Sequence, residues 1–228
     1  MPHYITEQNE WHHVVRDLEA EEIKLASYDK TLIPLLGDVR EKNILDFGSG
    51  PGVLCAVLQK LGANVKAYDI NPQILADAAK KIGKQNVYED WIKVPQGYFD
   101  ILICNLVLCI VTDAEAIRIC EQIQSTLAQE GYAYIGFCNP KIFDIRESKL
   151  DFRFPTGNVY GENHSYRKVK KEGKYVILET HRPIDWYKKI FAKTGLELVE
   201  TFYTPEYELG GKDIQDFIIF KLKKCRNL

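Results

Sequence analysis

From residue 42 onward the chain alternates short apolar runs with amphipathic stretches. Residues 43–47, Asn-Ile-Leu-Asp-Phe, form an apolar run that stops at Gly48, as a strand buried on both faces does. Residues 51–61 have helical periodicity, with Pro51 suited to the first turn and Gly62 to the stop. A second strand over 64–69 ends in Asp69. A second helix over 72–81 opens at Asn71-Pro72 and closes near Gly83. Residues 85–88 and 99–104 predict the third and fourth strands. Residues 113–128 predict a helix with Ala114, Ile117, Cys120, Ile123 and Leu127 on one stripe, and Asp113 near its start complements the helix dipole. A fifth strand over 131–138 completes the series. Such alternation implies a parallel sheet with helices on both faces.

The flanks read differently. Residues 11–36 carry Val14, Val15, Leu18, Ile23, Leu25 and Leu32 at three- and four-residue steps among charges, a helical pattern that stops at Gly37-Asp38. Residues 139–161 show weak periodicity and several turn residues. Residues 165–171 and 174–180 flank Glu172-Gly173, which predicts a hairpin. Residues 184–193 predict a last helix, followed by Gly195. The apolar-rich runs 196–203 and 214–222 predict two further strands that pair antiparallel. The expected organisation is one domain over 1–228: a helical cap (1–41), a core (42–139), an insertion (140–182), and a final helix with antiparallel strands (183–228).

Composition narrows the class. With 228 residues, 46% of them hydrophobic and 27% charged, the chain can bury a core, which excludes general disorder. A net charge of -2 argues against a surface that holds long stretches of nucleic-acid backbone. The apolar runs 101–104 and 106–111 fall far short of the ~20 residues of a membrane-spanning helix, so no membrane partner is expected. The first ten residues are polar and mixed in charge, which predicts a cytoplasmic protein. None of Cys55, Cys104, Cys109, Cys120, Cys138 and Cys225 stands in a C-x-x-C spacing, so buried thiols in a reducing compartment are expected. No His/Cys cluster has ligand spacing, and no metal site is expected.

The most informative segment is Ile44-Leu45-Asp46-Phe47-Gly48-Ser49-Gly50-Pro51-Gly52. Its glycines follow a strand and open a helix, where a missing Cβ lets a ligand approach the backbone. Asp69 ends the next strand, 19 residues beyond Gly50, and an acid there can accept hydrogen bonds from both hydroxyls of a ribose. Strand, glycine loop, helix, strand and acid make a nucleoside-binding unit. The spacing is G-x-G-x-G, whereas the dinucleotide fingerprint is G-x-G-x-x-G.

This segment resembles the first motif of the class I S-adenosylmethionine-dependent methyltransferases of the small-molecule type, and the resemblance extends over residues 42–139. It implies an α/β, Rossmann-like, doubly wound sheet of seven strands, mostly parallel with an antiparallel last strand. It implies S-adenosylmethionine as cofactor and S-adenosylhomocysteine as product. By the same resemblance Gly48, Ser49 and Gly50 cradle the cofactor, Asp69 holds the ribose, and Ile70 packs on the adenine. Asp90, Pro95, Phe99 and Asp100 follow the family's acid, proline, Phe-Asp order. Asp90 then either meets the adenine amino group or caps a helix, and Trp91 either lines the adenine pocket or belongs to the core. Asn105 and Leu106, at the end of the fourth strand, flank the methionine part. Asp46 either contacts the cofactor's amino group or orients the loop. Glu130 stands where the family commonly has the first glycine of L-x-x-G-G.

Methyl transfer needs alignment and exclusion of water, and a general base where the acceptor is a hydroxyl or protonated amine. The acceptor side should lie beyond the carboxyl ends of the strands. Among residues of the cap and insertion, His181 and His12 are the candidate bases. Tyr4, His13, Tyr28, Tyr160 and Arg182 are candidate acceptor contacts, with Arg153, His164 and Tyr166 nearby in sequence. A His-Arg pair like His181-Arg182 before the last helix is frequent in small-molecule methyltransferases of this class. Against that, His181 can simply brace the helix start, and His12 and His13 can be exposed helix residues. Cys109 stands where relatives often carry His, which removes one base. The basic run Arg167-Lys168-Val169-Lys170-Lys171 reads as a solvated hairpin edge or a contact to an acidic acceptor or to RNA. The expected function is methyl transfer to an O or N atom of a small molecule. RNA or protein methylation, a nicotinamide-dependent oxidoreductase and a non-catalytic cofactor-binding subunit are the alternatives.

Overall fold

The computed structural model describes residues 3–5, 24–142, 159–170 and 175–225. Its centre is a seven-stranded sheet. The strands in chain order are β2 (Asn43–Phe47), β3 (Asn64–Tyr68), β4 (Val87–Tyr88), β5 (Phe99–Asn105), β6 (Leu127–Cys138), β9 (Leu196–Tyr203) and β12 (Phe217–Lys224). Their spatial order is β4-β3-β2-β5-β6-β12-β9. All neighbours run parallel except β12, which is antiparallel to both β6 and β9. The expected fold class, and the antiparallel pairing of the last two long strands, are both observed.

Helices α1 (Lys30–Leu35), α2 (Val53–Lys60) and α3 (Pro72–Ile82) cover one face, and α4 (Asp113–Thr126) and α5 (Ile184–Lys193) the other. Successive strand residues point to opposite faces. Ile44, Ile101, Ile103 and Ile219 therefore join the core under α2 and α3, while Leu45, Leu102, Ile218 and Phe220 join the core under α4 and α5. Double-sided burial is why the central strands read as unbroken apolar runs.

Several boundaries move. Pro51 lies before α2, because the left-handed backbone of Gly50 and Gly52 (φ 55° and 75°) delays the helix to Val53. Strand β4 shrinks to two residues, since Lys84–Asn86 form a 3-10 turn. Helix α4 ends at Thr126, and Leu127 already pairs with Phe99. Its buried face is Ala116, Ile119, Cys120, Ile123 and Thr126, while Ala114 is exposed. The expected stripe advanced from Ala114 to Ile123 in three-residue steps, and each such step drifts about 60° around a 3.6-residue helix.

A second sheet has three strands. Strands β7 (His164–Lys170) and β8 (Tyr175–His181) pair antiparallel, as the hairpin reading expects. An unforeseen strand, β1 (His3–Ile5), adds to β8 in parallel. A small ribbon, β10 (Tyr207–Leu209) with β11 (Lys212–Ile214), precedes β12, so the predicted 214–222 strand begins later, at Phe217. The first part of the predicted 11–36 helix lies outside the described residues. The described part is a π-turn, Lys24–Asp29, running into α1. Five cysteines are buried, and Cys225 is partly so.

Candidate active site

The glycine loop is shaped by its backbone. Gly48, at φ 72°, and Ser49 donate their N–H groups to the Tyr68 carbonyl at 2.8 and 3.0 Å, curling the loop over the end of β3. A Cβ on Gly48 would run into Val107. One on Gly52 would stand 2.9 Å from the Ala78 Cβ, so that glycine sets the close approach of α2 to α3. Lys81, in the last turn of α3, donates to the Pro51 carbonyl at 2.7 Å. The Ser49 hydroxyl turns back on the Gly50 carbonyl at 3.4 Å.

Asp69 stands directly beside this loop. Its Oδ2 accepts from Gly50 N–H at 3.0 Å and its Oδ1 from Asn71 N–H at 2.9 Å. Burial raises its pKa above the ordinary carboxylate value, and the two N–H bonds offset part of that rise. Asn71 in turn caps α3 by accepting from Gln73 and Ile74 N–H. Ile70, next to the acid, is 60% exposed, an apolar side chain left open at a strand end.

Asp46 is buried and accepts from the Cys55 thiol at 3.3 Å, tying β2 to α2 beneath the loop. This placement agrees with an orienting role. Asp90 is exposed and caps the one-turn helix Trp91–Lys93 by accepting from Ile92 N–H at 3.0 Å. Trp91 packs edge-on against Phe47 and Tyr68, with ring centres 5.2 and 5.1 Å away. While making these contacts Asp90 stays exposed and Trp91 only partly buried.

At the end of β5, Leu106 adopts φ 58°, an uncommon backbone for a residue with a side chain. Its N–H donates to the Gly136 carbonyl at 2.8 Å. Tyr28 corrects an expectation: it is fully buried and donates its hydroxyl to Asn105 Oδ1 at 2.5 Å. It fills the space over Gly136, where a Cβ would collide with the Tyr28 hydroxyl, and meets Phe217 edge-on. Burial holds its phenol well above the usual tyrosine pKa. Tyr28 braces the strand end and presents no surface to an acceptor.

Beyond the ends of β5 and β6 lies a cavity of ≈ 10 Å³, lined by Cys109, Cys138, Tyr166, Glu179, His181 and Tyr187 among others. That volume suits about one water molecule. Tyr166 donates to Glu179 Oε2 at 2.6 Å, with both side chains buried. Burial first, then the Glu179 charge, pushes the Tyr166 phenol well above its usual value. His181 Nε2 lies 2.9 Å from the Tyr160 carbonyl. A carbonyl only accepts, so Nε2 carries the hydrogen, and in the neutral ring Nδ1 is the acceptor. The ring also stacks on His164 and Tyr160, at 4.9 and 5.4 Å.

Arg182 corrects the sequence reading most clearly. Its guanidinium is fully buried and bonds to Asp113 Oδ1 and to the carbonyls of Leu108 and Val111, each at 2.6 Å. Trp186 covers its face at 4.7 Å. Three of its five N–H donors serve the protein, and its full burial leaves no surface for an acceptor. Tyr160 is half-buried, and its hydroxyl accepts from Ile184 N–H at 3.4 Å. Tyr4 lies in β1, its backbone opposite Val176. His12, His13 and Arg153 lie outside the described residues.

Residues 20–201 match the family model of a methyltransferase domain. The chain belongs to this methyltransferase family. Solved structures with the same fold include an S-adenosylmethionine dependent methyltransferase from Mesorhizobium loti, at a TM-score of 0.63 and 17% identity over 91% of this chain and 100% of that one. A second is the Burkholderia thailandensis 1,6-didemethyltoxoflavin-N1-methyltransferase, bound to that compound and S-adenosylhomocysteine, at 0.63 and 16% over 94% and 84%. Among curated proteins, the ribosomal protein L11 methyltransferase of Thermus thermophilus is 33% identical over 69 residues, 28% of this chain and 27% of that protein. The methyltransferase thus spans about a quarter of the length of the curated relatives it matches.

S-adenosylmethionine is the cofactor that family and fold imply, and the residues present fit it. Gly48 and Gly50 hold left-handed backbone without side chains, and Asp69 sets a carboxylate at the loop's edge. Among the described residues, no group of three His, Cys, Asp or Glu side chains is placed to hold a metal ion. No described helix is long and apolar enough to cross a membrane.

Sequence reasoning missed Glu179, Cys138 and Tyr187 at the cavity. One signal was available for Glu179. In a hairpin strand it shares a face with Ile177 and His181, two residues away on either side, and that face is buried.

Proposed function

We propose that this methyltransferase moves the methyl group of S-adenosylmethionine to an oxygen or nitrogen atom of a small-molecule acceptor. Asp69 accepts the ribose hydroxyls, Ile70 and Trp91 border the adenine with Asp90 at its edge, and Gly48, Ser49 and Gly50 present backbone to the methionine part. Asn105 and Leu106 close that part from the end of β5, and Asp46 steadies the loop from below. The bound cofactor supplies an already activated methyl on sulfur, so the protein's share is alignment and dehydration. On this reading residues 140–182 form an acceptor-side insertion on the 42–139 core.

The observation behind the small-molecule reading is the buried Tyr166–Glu179 pair gathered with His181 under β7 and β8, polar groups beside a water-sized cavity. An acceptor O–H or N–H that reaches these groups as the cavity widens gives its proton to Glu179 or to His181 Nδ1. His181 is held in one orientation by Tyr160. The test begins with calorimetric titration of S-adenosylhomocysteine against NADH as comparison. Binding of the first alone supports the cofactor assignment, and binding of NADH alone overturns it. Transfer of labelled methyl to hydroxyl- and amine-bearing small molecules, with none to ribosomal protein or RNA, supports the acceptor class.

A protein acceptor is the second reading, favoured by the name of the partial relatives that modify ribosomal protein L11. Labelling of ribosomal protein in preference to small molecules would establish it.

A further inference from the structure

The segment between β5 and α4 borders the cofactor at one end and is held from the opposite side at the other. Leu106 starts it with a left-handed backbone, and Val107 packs against Gly48. Its next carbonyls turn away from the glycine loop. Cys109 accepts from Thr180 N–H at 2.7 Å, and Leu108 and Val111 accept from Arg182, each at 2.6 Å. Where the segment enters α4, Asp113 takes Arg182 Nε on Oδ1 and Asn163 Nδ2 on Oδ2, at 2.6 and 3.0 Å. Thr180, His181 and Arg182 are consecutive at the end of β8. One strand end therefore sends a backbone N–H and a guanidinium to the cofactor segment and a histidine to the acceptor cavity.

We propose that Arg182 is a positioning residue that couples the two half-sites: cofactor binding at Gly48 and Asn105 orders the β7–β8 roof through the 106–112 segment. The inference rests on the cofactor placement under the proposed function. A buried guanidinium fork reaches two carbonyls and a carboxylate together, which a lysine cannot do from one ammonium. The carbonyls it holds lie one and four residues beyond Val107, so a shift of that segment at the cofactor moves the groups that Arg182 holds. By reciprocity, an ordered roof favours the cofactor to the same extent.

Hydrogen–deuterium exchange of the full chain, with and without S-adenosylhomocysteine, tests this, paired with titration of the same ligand. In the wild type the ligand slows exchange about tenfold at 106–112 and at Thr180–Arg182, in the usual range of coupling between sites. In Arg182→Lys the glycine loop stays protected, protection at Thr180–Arg182 falls below about twofold, and the Kd rises about tenfold. Asp113→Asn, which keeps the guanidinium, gives the same pattern at lower amplitude and serves if Arg182→Lys fails to fold. Ile190→Val, a core change in α5, lowers Tm and leaves the ligand-dependent protection of β8 intact. Wild-type protection confined to the glycine loop overturns the coupling. So does an Arg182→Lys protein whose β8 still responds fully. No protection anywhere in the wild type overturns the cofactor placement and the coupling with it.

Discussion

The glycine loop and the β7–β8 roof solve different problems. Under the proposed function the loop recognises its ligand with backbone: Gly48 and Gly50 in left-handed conformations, and Asp69 tied to Gly50 N–H. Everything it needs lies within one strand, one turn and the next strand end. The roof instead gathers side chains from five stretches of chain: Cys109, Cys138, Tyr166, Glu179 with His181, and Tyr187. Its polar groups are buried, Tyr166 bonded to Glu179 and His181 to the Tyr160 carbonyl, and its cavity is water-sized. A cofactor common to many reactions suits a fixed backbone cradle, while an acceptor differs between enzymes and is met by exchangeable side chains.

The sharpest break of this contrast is Gly48→Val. It forces a β-branched residue into φ 72° and into Val107, which should abolish S-adenosylhomocysteine binding and cost about 3 kcal/mol or more of stability. Calorimetry and thermal unfolding measure both, and retained binding would show that the loop is not the cradle. Next, Glu179→Gln should lower turnover about 100-fold, the usual share of a general base, with cofactor affinity unchanged. A fall in affinity instead would erase the division between the halves.

Asp69→Ala comes third. Losing ribose bonds to a charged acceptor, each about 1.5–3 kcal/mol, should weaken S-adenosylhomocysteine binding roughly 50-fold, and an unaltered Kd would remove Asp69 from the site. His181→Ala should reduce turnover while sparing that affinity, and full activity would leave the ring a purely structural brace.

The smallest effect is in pH. The Asp69 pKa is raised from 3.8, chiefly by burial. The folded state therefore binds this proton more tightly than the unfolded one. Asp69 adds stability below pH 3.8, and that contribution is lost as pH rises through the folded value. Ribose binding uses the ionised form, so affinity should fall as pH drops through the same raised value. A titration series in wild type and Asp69→Asn checks this, and an identical pH profile in the two would refute it.

Much of this molecule is local and was legible before folding. A parallel sheet follows from apolar runs alternating with amphipathic ones, because double-sided burial leaves no polar face on a strand. A nucleoside cradle follows from glycines at a strand-to-helix turn and an acid at the next strand end, because chain geometry brings neighbouring segments side by side. The meaning of polar side chains in the cap and insertion was not legible. Arg182 finds Asp113 across 69 positions and Tyr28 finds Asn105 across 77. Each looked like an acceptor contact, and each proved to be a buried brace. A buried polar group takes whichever partner the packed chain brings to it, and only the tertiary structure determines which partner that is.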